Sequence, residues 1–158
     1  MLMQHYRQEA YSARSSVGYL LKRAHVLLVD QLEAAVADSD ITATQWVVLM
    51  YLRDGLAINA SDLCVQLRHD SGALTRVIDQ LEARGLVQRE RSREDRRAVQ
   101  LRLTAAGIDT VAALIPSVVG KLNFALRDFS RAEAAELNRL LTKLIHSVDG
   151  SSESGAAA

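Results

Sequence analysis

Between residues 70 and 104 the apolar side chains change their period, and that switch restricts the chain to few folds. Over the first half, Leu74, Val77, Ile78 and Leu81 recur at steps of three and four, the spacing of one apolar stripe on a helix. Asp70 stands where it can cap the start of this helix, and Gly85 followed by Leu86 stands where it can end it. Over the second half, Leu86 and Val87, then Val99, Leu101 and Leu103, alternate with polar residues as half-buried strands do. Between the two strands lies RERSREDRR, residues 89–97, too charged to be core. A helix followed by a hairpin with a basic tip is the expected local structure.

The face of the helix opposite the stripe carries Ser71, Gly72, Thr75, Arg76, Asp79 and Gln80. Small and polar groups at the front of a helix, with one arginine among them, suit insertion into the DNA major groove. The basic tip would reach phosphates or the adjacent minor groove, where negative potential attracts arginine. Helix and hairpin together read as a winged helix-turn-helix. Lys+Arg and Asp+Glu both number 19, so net charge alone argues for no polyanionic partner. Its distribution does: residues 68–102 hold nine Arg against six Asp and Glu, an excess of positive charge on the segment singled out by period.

Two motifs in this segment resemble the multiple-antibiotic-resistance-regulator (MarR) family of bacterial transcription factors. One is DSGALTRVIDQLEARGLV, residues 70–87, similar to the family's recognition helix. The other is DRRAVQLRLT, residues 95–104, similar to its wing signature of Asp-x-Arg ending in Leu-Thr. The resemblance implies that Arg76 and Thr75 touch DNA. Ser71 and Gly72 contact phosphate or bases, or simply start the helix. It further implies that Asp95 orients Arg97 and that Arg97 enters the minor groove. Arg91, Arg93 and Arg96 position phosphates or are only solvated.

The remaining segments are read as helices. Over residues 16–36 the stripe Val17, Leu20, Leu21, Ala24, Leu28, Leu32 and Ala35, widened by Leu27 and Val36, predicts a first long helix. Thr42 to Gln45 reads as a capping box opening a second helix that ends near Asp54 and Gly55. Leu56 to Ile58 is short and apolar, a small strand expected to pair with the wing. Asn59 can cap a third helix with Asp62 in its first turn, and Arg68 and His69 form the turn before the recognition helix. After the wing, Thr104 caps a long helix with Ile108, Val111, Ala112, Ile115, Val118, Val119 and Leu122 on its apolar side, and Pro116 is expected to kink it. Ser130 to Glu133 is a second capping box, opening a final helix with Leu137, Leu140, Leu141, Leu144, Ile145 and Val148 in one stripe. Residues 149–158 form a small, polar tail expected to be disordered.

The expected fold is therefore mainly α with a small β-hairpin. Residues 1–148 make one subunit, in which a winged-helix lobe over about 42–104 is flanked by helices over about 10–37 and 105–148. Those outer helices carry more apolar surface than a lone lobe covers, and the resemblance places a homodimer interface there. A two-fold dimer would set two recognition helices in successive major grooves, roughly 34–36 Å apart.

The resemblance also implies a cleft for a small aromatic or phenolic acid, with Ser15, Tyr19, Arg23, Trp46, Arg68 and His69 as its candidate lining. Cys64 offers a redox alternative, although a free cysteine is commonly a small buried hydrophobe. His5, His25, His69 and His146 show no ligand spacing with one another or with Cys64, so no metal and no cofactor are expected. No phosphate loop, nucleophile motif or paired carboxylates argue for an enzyme. No apolar run approaches the ~18 residues of a membrane span, the start lacks a signal-peptide core, and a single Cys makes no internal disulfide. The expectation is a cytoplasmic, nucleoid-associated bacterial regulator on double-stranded operator DNA. Most simply it is a repressor released by its ligand; the alternatives are a redox-responsive regulator through Cys64 and a DNA-binding protein without effector.

Overall fold

The computed structural model describes residues 5–91 and 99–149. Two 3-10 turns, Gln8–Ala10 and Ala13–Ser15, precede α1 (Val17–Val36), α2 (Ala43–Arg53), α3 (Ala60–Leu67) and α4 (Ser71–Ala83). The hairpin β1 (Val87–Arg91) and β2 (Val99–Leu103) follows, then α5 (Ala105–Ala125) and α6 (Arg131–Asp149). The fold is thus mainly helical with one two-stranded antiparallel hairpin, as the sequence predicts.

Local chemistry sets most of these boundaries. At the start of α2, Gln45 N–H donates to Thr42 Oγ1 at 3.2 Å and Thr42 N–H donates to Gln45 Oε1 at 3.0 Å, the reciprocal capping box. Asn59 accepts from Asp62 N–H at 2.8 Å to open α3, and Asp70 accepts from Ala73 N–H at 3.0 Å to open α4. Gly85, at φ +69°, ends α4 by donating to Glu82 O at 2.8 Å while Leu86 N–H donates to Leu81 O at 3.0 Å. That double bond needs a left-handed residue, which glycine supplies without a Cβ penalty. Between α3 and α4 the chain turns at Arg68, a non-glycine residue in the left-handed region at φ 48°.

One core joins the winged-helix elements up to Val118. Leu63 from α3, Leu74, Ile78 and Leu81 from α4, Leu86, Val87 and Leu101 from the hairpin and Val111 and Val118 from α5 close around Trp46, Val48 and Leu49 of α2. Burying a side chain of this size stabilises the fold by about 1.5–3 kcal/mol each, and the dry stripe of α4 contributes three such residues. The hairpin pairs Val87 with Leu103 and Arg89 with Leu101, so Val87 and Leu101 both face inward.

The structure corrects the sequence reading at several points. Residues 56–58 form no strand; they give the hairpin a single bond, Leu101 N–H to Ile58 O at 2.8 Å. Ile58 N–H is taken instead by the Asp62 carboxylate at 3.0 Å, which leaves nothing to extend a ladder. Val99, expected to be half-buried, is 48% exposed, paired with Arg91 at the end of the ladder farthest from the buried Val87. The α5 helix continues through Pro116 and is, by length and composition alone, apolar enough to cross a membrane, contrary to the expectation that no such run exists. Asp109, Thr110, Pro116, Ser117 and Lys121 interrupt its apolar residues, so a search for an unbroken run misses it. Its Val111 and Val118 are buried, and its Ser117 hydroxyl donates to Ala35 O at 2.7 Å, contacts of a helix that packs on a protein core.

The chain divides into two compact units at Lys121 and Leu122. In the second, Ser130 N–H donates to Glu133 at 2.8 Å and Glu133 N–H donates to Ser130 Oγ at 3.2 Å, the expected capping box. The two bonds from Ser130, backbone first, hold the Glu133 carboxyl below the usual carboxylate range. α6 has no buried residue, and its stripe of Leu137, Leu140, Ile145 and Val148 is exposed in the single chain. Asp149 closes this helix; the rest of the expected tail lies outside the described residues.

Candidate nucleic-acid interface

The front of α4 presents the small polar face expected of it. Ser71, Gly72, Thr75 and Arg76 are all exposed. The Thr75 hydroxyl donates to Ser71 O at 2.7 Å, so its proton is already used and it offers a groove an acceptor oxygen and a methyl group. Gly72 has a role of its own: a Cβ there would stand 3.1 Å from Asp70 Oδ2, crowding the carboxylate that caps the helix. Arg93, Asp95, Arg96 and Arg97 of the wing lie outside the described residues. The base of the wing is described: Arg102 on β2 pairs with Glu90 on β1 at 3.0 Å.

Three features that position this face were not singled out from the sequence. Arg89 on β1 pairs with Asp79 of α4 at 2.6 Å and with Glu82, and its backbone N–H donates to Glu82 at 3.3 Å. The bond to Asp79, with Glu82 adding to it, raises the Arg89 guanidinium above its ordinary value, and the residue stays charged at any physiological pH. Gln45 is buried at 5% exposure and donates its Nε2 to Gln80 Oε1 of α4 at 3.1 Å. On the same side, the Arg84 guanidinium donates to Asp40 O in the connection before α2. The third feature is Gly107: Thr104 donates its hydroxyl to Gly85 O at 2.6 Å and accepts from Gly107 N–H at 3.0 Å, which brings the start of α5 against the end of α4. A glycine inside a helix costs about 1 kcal/mol against alanine, and at Gly107 the close approach of Leu86 accounts for it. Nothing in the sequence names the partners of Arg89 or pairs Gln45 with Gln80.

The candidate ligand residues sort by exposure. Ser15 lies in the second 3-10 turn and Tyr19 and Arg23 on α1, all exposed, as are Arg68 and His69 at the turn before α4. Trp46 is 5% exposed inside the core, where its ring is covered by neighbours and offers no open wall. Cys64 is half-buried against the same core. Among the described residues, no cluster of three or more His, Cys, Asp or Glu could hold a metal ion.

Comparison with known proteins places this geometry. The family model described as the MarR family matches residues 39–98, from the turn before α2 to the wing. The HTH-type transcriptional regulator MgrA of Staphylococcus aureus is 32% identical over 114 residues, 72% of this chain and 76% of that protein. Among solved structures, BpsR of Bordetella bronchiseptica, described with the regulation of its DNA binding by 6-hydroxynicotinic acid, is 31% identical with a TM-score of 0.73. The match covers 85% of this chain and 96% of that one. A mutant MarR from E. coli complexed with operator DNA is 29% identical with a TM-score of 0.71, covering 81% of this chain and 92% of that one. With its capped recognition helix, its hairpin and these relatives, the chain belongs to the MarR family of winged-helix transcriptional regulators.

Proposed function

We propose that this regulator is a homodimeric, sequence-specific repressor on double-stranded operator DNA, released when a small aromatic or phenolic acid binds. The observation that carries the DNA reading is the front of α4, where Ser71, Thr75 and Arg76 stand exposed on a helix whose other face buries Leu74, Ile78 and Leu81. The operator complex of the MarR relative and the 6-hydroxynicotinic acid response of BpsR support the two halves of the reading. Ser15, Tyr19, Arg23, Arg68 and His69 are the exposed groups offered to an aromatic ring and its carboxylate. The protein would work in the bacterial cytoplasm at the nucleoid.

The test is selection of binding sites from random duplexes, then anisotropy titrations on the selected site with added benzoic, hydroxybenzoic and hydroxynicotinic acids. Release by one of these acids, unchanged in Cys64→Ser, supports the reading. Release by peroxide alone, lost in Cys64→Ser, would replace it with a redox regulator. In the same assay Arg76→Ala should cost about 1–3 kcal/mol on the selected site and relax preference at one position. Equal loss on selected and random DNA would make Arg76 a phosphate contact.

The wing gives a test whose sign decides. Removing the negative charge of Asp95 from a DNA-facing loop should, by simple electrostatics, tighten binding. If Asp95 instead orients Arg97, Asp95→Ala should weaken binding, because an unheld arginine loses side-chain entropy on reaching the groove. The double variant should then be little worse than Arg97→Ala alone. Tighter binding by Asp95→Ala at fixed salt would reduce Asp95 to one member of a solvated charge run.

A further inference from the structure

The recognition helix is gripped from two sides by residues that are not on its reading face. On one flank, the Thr42 N–H must donate, so Gln45 turns its Oε1 toward it and is left to donate Nε2 to Gln80 Oε1 at 3.1 Å. Gln45 is the single buried polar side chain among the described residues, and an amide is held at that depth only with its polar groups paired. On the other flank, Arg89 holds Asp79 and Glu82 from the first strand of the wing.

The placement of these grips follows from helix geometry. At about 100° per residue, Gln80 and Glu82 stand about 160° apart across the outward side of α4, on either edge of the buried stripe. Within that outward arc fall Gly72, Thr75, Arg76 and Asp79, with Arg76 about 40° from Gln80. Two grips on opposite flanks resist rotation in both senses. Rotation matters here: turning the helix by about 10° moves a guanidinium about 10 Å from the axis by roughly 2 Å, more than a hydrogen bond tolerates.

We propose that Gln45 is a positioning residue for operator recognition: by holding Gln80, against Arg89 on the opposite flank, it sets the rotation of α4 and therefore the aim of Arg76. This rests on the reading of α4 as the element that reads the operator. Gln45 is buried and does not touch DNA itself. Its effect passes through Gln80 and appears as sequence discrimination, since nonspecific binding depends on charge and tolerates a few degrees of rotation.

The experiment measures, at fixed salt, the ratio of affinities for the selected site and a random duplex of equal length. Gln80→Ala should lower that ratio about tenfold, by loss on the selected site. Gln45→Met, which keeps side-chain length but loses both amide contacts, should lower it similarly in protein with a native circular dichroism spectrum. Gln80→Glu retains an acceptor for Gln45; its added charge should weaken both affinities and keep the ratio within about twofold of the starting value. In an Arg76→Ala background, Gln80→Ala should cost less than about twofold further, because the two act through one contact.

A ratio unchanged in Gln80→Ala overturns the proposal, as does a full loss persisting in the Arg76→Ala background, which would make Gln80 a DNA contact in its own right. Should Gln45→Met fail to fold, the exposed Gln80 variants decide alone. If the unsubstituted protein selects no sequence, the reading of α4 falls first and this proposal with it. If it selects one and the variants keep the ratio, only the positioning role is lost.

Discussion

Gly107→Ala should lower the melting temperature by roughly 6–12 °C, from a loss of about 3 kcal/mol at a few degrees per kcal/mol for a chain of this size. Helix propensity alone predicts the opposite, since alanine inside a helix is favoured over glycine by about 1 kcal/mol. The structure reverses the sign. A Cβ at Gly107 would lie 2.1 Å from Leu86 O and 3.0 Å from Leu86 C, and both atoms are backbone. The Leu86 carbonyl cannot swing away cheaply, because it accepts from Thr104 N–H at 3.1 Å. Moving α5 back would break that bond and strain the Thr104 hydroxyl contact to Gly85 O, each worth about 1 kcal/mol. Thermal unfolding followed by circular dichroism checks it. An equal or higher melting temperature would mean the two backbones separate without cost. Because Gly85 and Leu86 also end the recognition helix, the same substitution should weaken DNA binding at temperatures where the protein is still folded.

Leu141→Glu should convert the proposed dimer into monomer or unfold it. α6 buries none of its residues in the single chain, yet Leu137, Leu140, Leu141, Leu144, Ile145 and Val148 form a continuous stripe. Leu137, Leu140, Ile145 and Val148 face water in the single chain while Leu141 and Leu144 are half-buried beside them. In the proposed dimer a second copy covers this stripe, and a carboxylate placed at Leu141 would lose its hydration. A penalty of about 4 kcal/mol corresponds to a dissociation constant about a thousandfold higher. Sedimentation equilibrium across micromolar concentrations reads this directly, and the unsubstituted protein should lose thermal stability on dilution. A Leu141→Glu protein that remains dimeric at low micromolar concentration would place the interface elsewhere. A well-folded monomer that still binds a half-site tightly would count against the two-fold architecture.

These predictions draw on different layers of information. The residues themselves determined the capped starts at Thr42, Asn59, Asp70, Thr104 and Ser130, the glycine stop at Gly85 and the buried stripe Leu74, Ile78 and Leu81. Each of these depends on groups three to five positions apart, whose meeting is fixed once a helix forms, so the pattern is legible without knowing the fold. The exposed front of the recognition helix was legible for the same reason, being the complement of its dry face.

Tertiary structure alone decided the rest. Gln45 and Gln80 lie 35 positions apart and Ser117 and Ala35 lie 82 apart, so no local pattern predicts that they touch. Arg89 reads in sequence as one more charge of a basic run; only the hairpin's fold back onto α4 turns it into a clamp on Asp79 and Glu82. Trp46 passes as a ligand wall until the core closes over it, and residues 56–58 pass as a strand until Asp62 takes the Ile58 N–H. Gly107 looks like a weak point in a helix, and the packing of α5 on Leu86 makes its missing side chain a requirement. Local chemistry fixes which elements form and where they end; which side chains act across elements depends on how distant segments pack, and that exists only in the folded chain.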